Sequence, residues 1–302
     1  MKIFKKIVFS FLSVLVISLV GGYLYFDKKF TPEKNYLTLQ NESGKIIIKW
    51  LGTDKNAVLL PIRFSESDTF YMQFDTGSPN TVFYSNSITA IKDISVKNNR
   101  AKSCFNIGNT KVSSDKFIII DGIKQEKTDS LKIIGTIGAD ILEDRKTLIN
   151  FNENYVTLNI SKEPINFRKS LIDFKFKKRK VILEGFLKDK KEKFLYDSGT
   201  SAYELLTNKN LWTQLKSSNS NVVEKKERSW DNILTSYTAK SRNSILFKNH
   251  PIALNEVTYV EGFSKSQYLM MKFSGMTGML GNKMFIKSSI YIDCRKQKIA
   301  IQ

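Results

Sequence analysis

The sequence contains an internal duplication, which restricts the possible architectures more than any other feature. The pattern Asp-Thr/Ser-Gly-Ser/Thr occurs at Asp75–Ser78 and again at Asp197–Thr200, each time after a run of apolar residues. The second aspartate follows the first by 122 residues (197 − 75). Because a duplicated sequence folds into two copies of one structural unit, we expect two similar halves with approximate twofold symmetry.

The duplication extends beyond the two aspartates. The longest match keeps a constant offset of 143 residues (279 − 136) without a gap. The further matching pairs are Phe117–Gly122 with Val257–Gly262, Thr136–Leu142 with Met279–Phe285, Leu148–Phe151 with Tyr291–Cys294, and Val156–Leu158 with Ile299–Ile301. Each half is therefore predicted to contain the same succession of short strands and turns.

The pattern of residues within each half predicts a mainly β protein. Short runs rich in Ile, Val, Phe and Tyr alternate with clusters of Gly, Asn, Asp and Ser, which is typical of strands joined by turns. Helix is expected only at Lys209–Lys216 and, with a weaker pattern, at Asn86–Ile91. We predict an N-terminal lobe at 31–160, a linker at 161–173 and a C-terminal lobe at 174–302.

The N-terminal segment has a different character. An uncharged run of 20 residues, Ile7–Phe26, follows three lysines, and this is the length needed to cross a bilayer as a helix. We predict that 1–30 form a cytoplasmic stub and a transmembrane signal anchor, with the rest of the chain outside the cytoplasm. The alternative is a signal peptide cleaved near Val20–Gly22, which would release a secreted protein.

Composition narrows the possible partners. The formal net charge of +19 could attract nucleic acid, anionic lipid or acidic peptides. The chain has no zinc-finger spacing, RNA-binding aromatic signature or recognisable DNA-reading helix, so we expect no nucleic-acid partner. Cys104 and Cys294 fall in different lobes and are not expected to pair, and His250 alone is a poor zinc ligand. No metal or other cofactor is therefore expected, and a Ser–His or Cys–His hydrolase would depend on this one histidine.

The duplicated pattern suits a pair of acid–base carboxyls. Each aspartate follows an apolar strand and precedes a glycine, so it should lie in a tight turn where a second chain segment can approach closely. Twofold symmetry would bring Asp75 and Asp197 face to face. Two carboxyls about 3 Å apart cannot both ionise, so they would share a proton and could act together as base and acid on water.

These motifs resemble those of the pepsin-like (bilobal) aspartic peptidase family, of a bacterial membrane-anchored type. The likeness spans about residues 55 to 302. The matching segments are Phe74–Ser78 with Asn80, Tyr196–Ser201, Thr136–Gly138 with Leu280–Gly281, and the closing strands within Ile290–Ile301.

The resemblance implies a two-lobed pepsin-like acid protease fold with pseudo-twofold duplicated β-barrel lobes. It further implies a monomeric aspartic endopeptidase that hydrolyses peptide or protein substrates. Its catalytic pair would be Asp75 and Asp197. The supporting residues of the two loops would be Thr76 and Ser198, which bond the loops to each other, Ser78 and Thr200, which bond the carboxyls from outside, and Gly77 and Gly199.

The sequence departs from the family pattern in the region of the flap, the hairpin that covers the cleft. No Tyr or Trp occurs between Tyr84 and Tyr155, and Val82 stands where pepsins have Trp. We expect only a brief flap, near Lys97–Ser103. The alternative function is a catalytically weak or inactive membrane-anchored module of the same fold that binds peptides or proteins. A third interpretation is a basic surface protein that binds anionic lipid or polysaccharide.

Overall fold

The computed structural model describes residues 2–65, 68–122, 131–229, 232–264 and 274–302. The chain divides into two compact units, 1–34 and 35–302. The first unit consists mainly of one helix, α1 (Lys2–Lys29). Within the residues that the structure describes, no helix is both long enough and apolar enough to span a bilayer.

The second unit is mainly β, as the sequence predicts. Nine strands from its first half form one sheet: β1 (Thr38–Gln40), β3 (Lys49–Leu51), β4 (Ala57–Arg63), β5 (Thr69–Phe74), β6 (Val82–Tyr84), β7 (Ile94–Lys97), β8 (Arg100–Ile107), β9 (Thr110–Ile120) and β10 (Ile133–Ile137). Because β8 pairs with both β9 and β4, six strands close into a ring in the order β9-β6-β10-β5-β4-β8.

The second half repeats this arrangement. Its eight-stranded sheet contains β14 (Lys175–Lys177), β15 (Lys180–Leu187), β16 (Lys190–Tyr196), β17 (Leu205–Thr207), β18 (Val222–Ser229), β19 (Asn232–Phe247), β20 (His250–Glu261) and β21 (Gly278–Leu280). Pairing of β19 with both β20 and β15 closes a ring in the order β20-β17-β21-β16-β15-β19. Strand for strand, this is the order of the first ring, so the duplication in sequence is also a duplication in topology.

A third sheet takes three strands from each half. Its six strands are β2 (Ile46–Ile47), β11 (Lys146–Asn150), β12 (Tyr155–Thr157), β13 (Ile172–Asp173), β22 (Ser289–Asp293) and β23 (Lys298–Ile301), in the order β13-β23-β22-β11-β12-β2. At its centre, antiparallel β11 and β22 place Leu148 opposite Tyr291. These two residues are 143 apart (291 − 148), the offset of the longest repeat, so equivalent residues of the two halves face each other there.

Alternating burial explains how these strands enclose a core. Along β8, Ala101, Phe105 and Ile107 are buried while Lys102 and Asn106 are exposed, because successive side chains point to opposite faces of a strand. The inward apolar side chains of both rings belong to one continuous hydrophobic core. The same alternation leaves Cys104 exposed, whereas Cys294 is buried; both are free thiols.

The helices described within the second unit are short. The predicted helix at Lys209–Lys216 is confirmed as α3 (Lys209–Leu215), whose first turn is capped by the Asn208 side chain accepting from the Leu211 N–H at 3.0 Å. The weaker prediction corresponds to a single turn, α2 (Ser85–Ile88). In the part of the chain that the structure describes, there are four 3-10 turns: Ala139–Ile141, Ile165–Ser170, Ser198–Thr200 and Asn282–Phe285.

The segment predicted to form a brief flap lies at the tip of the β7–β8 hairpin. Its two turn residues, Asn98 and Asn99, have φ of 49° and 57°. Left-handed φ at both central positions is the geometry of the tightest hairpin turns, and asparagine tolerates it better than most residues. The turn contains only these two residues, and β7 pairs with β8 over four positions, so the hairpin is short.

Candidate active site

The two Asp-containing loops occupy equivalent places in the two rings. In each ring the strand before the aspartate runs parallel to a strand that ends in an apolar-Gly segment. The Asp75 N–H donates to the Ile137 carbonyl at 3.0 Å, and the Asp197 N–H donates to the Leu280 carbonyl at 2.9 Å. As the sequence predicts, each aspartate directly follows a strand, and the last residue of each strand, Phe74 or Tyr196, is buried.

The glycines after these parallel strands are required by close packing. A Cβ on Gly138 would lie 2.3 Å from the backbone carbon of Asn80, and one on Gly281 would lie 2.1 Å from the Thr200 carbonyl oxygen. Neither distance can be accommodated without moving backbone. The apolar-Gly segments therefore pack directly against the two loops.

Reciprocal hydrogen bonds join the loops. The Thr76 N–H donates to Ser198 Oγ at 2.9 Å, and the Ser198 N–H donates to Thr76 Oγ1 at 3.0 Å. The hydroxyls donate onward, from Thr76 to the Tyr196 carbonyl at 3.0 Å and from Ser198 to the Phe74 carbonyl at 2.9 Å. Both side chains are fully buried. The structure thus brings together the two residues that the sequence predicts to bond the loops.

The two carboxyls lie against each other. Asp75 Oδ1 accepts the Gly77 N–H at 2.8 Å, and Asp197 Oδ1 accepts the Gly199 N–H at 2.8 Å. A Cβ on Gly77 would lie 2.5 Å from Asp197 Oδ1, and one on Gly199 would lie 2.5 Å from Asp75 Oδ1. Each glycine therefore packs on the opposite carboxyl, which brings the two carboxyls close together.

Burial raises the pKa values of both aspartates, so each carboxyl is a weaker acid than usual. It raises the pKa of Asp75, against the opposing effect of the Gly77 and Ser78 N–H groups. Burial, with the neighbouring charge of Asp75, raises the pKa of Asp197 from 3.8 to about 7. Because like charges this close disfavour double ionisation, the pair retains one shared proton into the mildly acidic range.

The outer hydroxyls do not bond the carboxylates as the resemblance implies. The Ser78 hydroxyl donates to the Asn80 carbonyl at 2.9 Å, and the Thr200 hydroxyl donates to the Asp197 main-chain carbonyl at 2.9 Å. A hydroxyl has one hydrogen, and in a tight turn a nearby carbonyl competes for it. From this outer side, it is the Ser78 backbone N–H that reaches Asp75 Oδ1, at 3.2 Å.

Two polar groups that sequence reasoning missed support the first loop. Asp140 is buried and accepts the Thr81 N–H and hydroxyl, both at 2.7 Å. Arg179, also buried, comes from the second half, donates to the Asn80 side chain and forms an ion pair with Glu143 at 3.0 Å. The density of lysine and arginine around residue 179 gave no signal that one of them is buried.

Two further missed residues lie beside the pair. Asn282 donates to the Ser198 carbonyl at 3.2 Å and accepts the Tyr196 hydroxyl at 2.8 Å, so it supports the second loop. The Tyr84 and Thr136 hydroxyls hydrogen-bond at 2.8 Å, and burial together with the Asp75 charge raises the pKa of Tyr84. Asn282 directly follows the repeated Gly281, which is the one sequence signal that pointed to it.

We predict that Thr76→Val destabilises the protein strongly. Valine keeps the shape of the side chain but leaves the Ser198 N–H and the Tyr196 carbonyl buried without their partner, at a cost of roughly 1–3 kcal/mol each. The free energy of unfolding, measured in urea, should fall accordingly. The control is Thr213→Val on the exposed face of α3, which should change stability by less than about 0.5 kcal/mol. Equal effects at both positions would contradict the assigned role of the buried bonds.

We also predict that Asp197→Asn stabilises the protein selectively at neutral pH. The folded-state pKa of Asp197 is raised, so the stability it contributes is present below pH 3.8 and is lost as pH rises through about 7. Relative to wild type, the variant should gain at least about 1 kcal/mol between pH 4 and pH 8, since one pKa unit corresponds to about 1.4 kcal/mol. A stability difference that does not change with pH would show that the carboxyl titrates normally.

The chemistry available here is that of two carboxyls with raised pKa values at the junction of two partly buried loops. Within the described ranges, no group of three or more His, Cys, Asp or Glu residues could hold a metal ion. His250 is exposed at the start of β20. No protein-family model matches the chain, and a search of curated proteins finds no significant match, so the geometry of the paired loops is the basis for assigning a function.

Proposed function

We propose that this protein is an aspartic endopeptidase in which Asp75 and Asp197 activate water for attack on a peptide bond. The observation that carries this proposal is that the two loops pack against each other, with each glycine against the carboxyl of the opposite loop. A pair of turn or capping aspartates would not need to be buried close together, with each one held by backbone N–H groups. That arrangement is costly for folding, which favours a catalytic role.

The reaction would proceed by general acid–base catalysis. The ionised carboxyl takes a proton from water as the water oxygen attacks the peptide carbonyl carbon. The protonated carboxyl donates its hydrogen bond to the developing oxyanion. A proton then passes from the pair to the peptide nitrogen, which allows the C–N bond to break. This step releases an acid and an amine and returns the pair to its one-proton state.

We propose that the fold is the two-lobed pepsin-like acid protease fold. Two rings with the same strand order support this proposal, as does the shared six-stranded sheet centred on Leu148 and Tyr291. The active loops would then lie at the pseudo-twofold axis between the lobes. The brief β7–β8 hairpin, with Asn98 and Asn99 at its tip, would act as the flap.

We also propose that residues 7–26 anchor the chain in a membrane as a single pass, with the peptidase periplasmic or extracellular. The proposal rests on the uncharged run of 20 residues within α1 and the lysines that flank it. Membrane fractionation and N-terminal sequencing of the natural protein would test it. A soluble protein that begins near Val20–Gly22 would instead support secretion after signal-peptide cleavage.

The test of the peptidase proposal is incubation of the full chain, in mild detergent, with a random peptide library from pH 3 to 7. New termini identified by mass spectrometry, suppressed by a statine-type peptide, are the expected result. A folded protein that retains library peptides but cuts none would indicate the peptide-binding module instead. Binding of anionic lipid or polysaccharide that salt weakens and Asp75→Asn leaves unchanged would favour the basic surface protein.

A further inference from the structure

The side chains nearest the paired carboxyls differ in chemistry between the two halves. In β5, Gln73 lies two residues before Asp75 and so shares its face of the strand. Strand β10 places Thr136 beside Gln73. The Thr136 hydroxyl bonds Tyr84, whose pKa is raised in part by the Asp75 charge. On its other side, strand β4 places the buried Leu59 beside Gln73. The groups of this face that are partly exposed, Gln73 and Tyr84, are polar.

The equivalent face beside Asp197 is apolar. Leu195 lies two residues before Asp197, and β21 places Met279 beside Leu195. Strand β17 in turn places Leu206 beside Met279. Leu195 follows Gln73 by 122 residues and Met279 follows Thr136 by 143, the two offsets of the duplication. The same structural positions thus carry opposite chemistry in the two halves.

Most of these side chains are accessible to a ligand, whereas Thr136 and Leu206 are buried. Gln73, Tyr84, Leu195 and Met279 are each partly exposed. Among the described residues, the Gln73 side-chain amide has no hydrogen-bond partner, so its donor and acceptor are available. The contrast does not extend to the next strand, because Val82, which β6 places beside Thr136, is apolar like its equivalent Leu206. One strand beyond these it reverses, because Ile118 lies beside Val82 and Thr258 beside Leu206. The asymmetry is therefore confined to the residues closest to the carboxyls.

Resting on the proposed peptidase function, we propose that the enzyme selects a different class of side chain on each side of the bond that it cleaves. The side chain that lies against Gln73, Thr136 and Tyr84 is uncharged and polar, such as Asn, Gln, Ser or Thr. The side chain that lies against Leu195, Met279 and Leu206 is apolar and large, such as Leu, Met or Phe. The substrates are therefore peptides in which a polar and an apolar residue flank the scissile bond.

Physical reasons support opposite preferences. An apolar substrate side chain placed on the Gln73 face would cover hydrogen-bonding groups without replacing their water contacts. A polar side chain placed on Leu195 and Met279 would lose its own water contacts without gaining a partner. Enclosed polar sites discriminate by several orders of magnitude; because these faces are partly open, about tenfold on each side is expected.

The experiment compares cleavage sites in the random peptide library for wild type and two exchange variants, Gln73→Leu and Leu195→Gln. Wild type should show a polar class at one flank of the cleaved bond and an apolar class at the other. Gln73→Leu should shift the polar flank toward apolar residues by about tenfold, and Leu195→Gln should do the reverse at the other flank.

Each outcome separates the inference from the function on which it rests. If wild type cuts the library with the same preference at both flanks, the asymmetry is wrong while the peptidase stands; this comparison needs no variant to fold. If each exchange variant folds and cuts with the wild-type profile, these faces do not select the substrate. If wild type cuts nothing, the peptidase proposal and this one are both overturned.

Discussion

Asp75→Asn and Asp197→Asn are each expected to lower the rate of peptide hydrolysis by about 10³-fold without loss of folding, because each variant removes one half of the acid–base pair. An amide can neither take a proton from water nor carry the shared proton. Both variants should keep the wild-type circular dichroism spectrum, since asparagine has nearly the shape of aspartate. The measurement is kcat/KM on a peptide identified from the library.

The matched control for these variants is Asp293→Asn. Asp293 is also buried, but it lies in β22 of the shared sheet, where its Oδ1 accepts the Lys296 N–H at 2.9 Å. Its replacement should leave kcat/KM within about twofold of wild type once stability is taken into account. Activity that survives Asp75→Asn or Asp197→Asn would remove the pair from the mechanism.

Gly77→Ala and Gly199→Ala are expected to abolish most activity as well. The new methyl group would lie 2.5 Å from an oxygen of the opposite carboxyl, so a loop and a carboxylate must separate. A displacement of about 1 Å in a catalytic group can reduce the rate by about 10²-fold. We therefore expect at least that loss in kcat/KM, together with a lower melting temperature.

The control for the glycine variants makes the same change where there is room. A methyl group on Gly21 would have no neighbouring atom within 4 Å, so Gly21→Ala should leave kcat/KM unchanged. If Gly77→Ala or Gly199→Ala retained full activity, the two loops could not be as close as their geometry requires. A loss of folding in either variant would be visible as loss of the cooperative thermal transition.

The duplication made much of the fold and of the site predictable. The matched motifs identified Asp75 and Asp197, and the hydroxyl after each one identified Thr76 and Ser198 as the residues that bond the loops. Local patterns also predicted α3. These features depend on short stretches of sequence, so they can be recognised without knowledge of the fold.

Features that depend on distant contacts could not be predicted in the same way. Arg179 reaches Asn80 from a turn 99 residues away, and no local pattern marks it as buried. The Ser78 and Thr200 hydroxyls donate to main-chain carbonyls and not to the carboxylates, because of turn geometry that the sequence does not specify. The contrast between Gln73 and Leu195 became informative only once strand register placed Thr136 beside Gln73 and Met279 beside Leu195.

The central claim is that Asp75 and Asp197 form one unit that holds a shared proton, and a carboxyl titration tests it without any knowledge of the substrate. The full chain, labelled with ¹³C at aspartate carboxyls, would be followed by NMR from pH 3 to 8, with the two Asn variants used for assignment. We predict two well-separated steps, the upper one near pH 7, and a return of the remaining carboxyl to a single step in each variant. Independent titration of both carboxyls near their ordinary pKa of 3.8 would contradict the account.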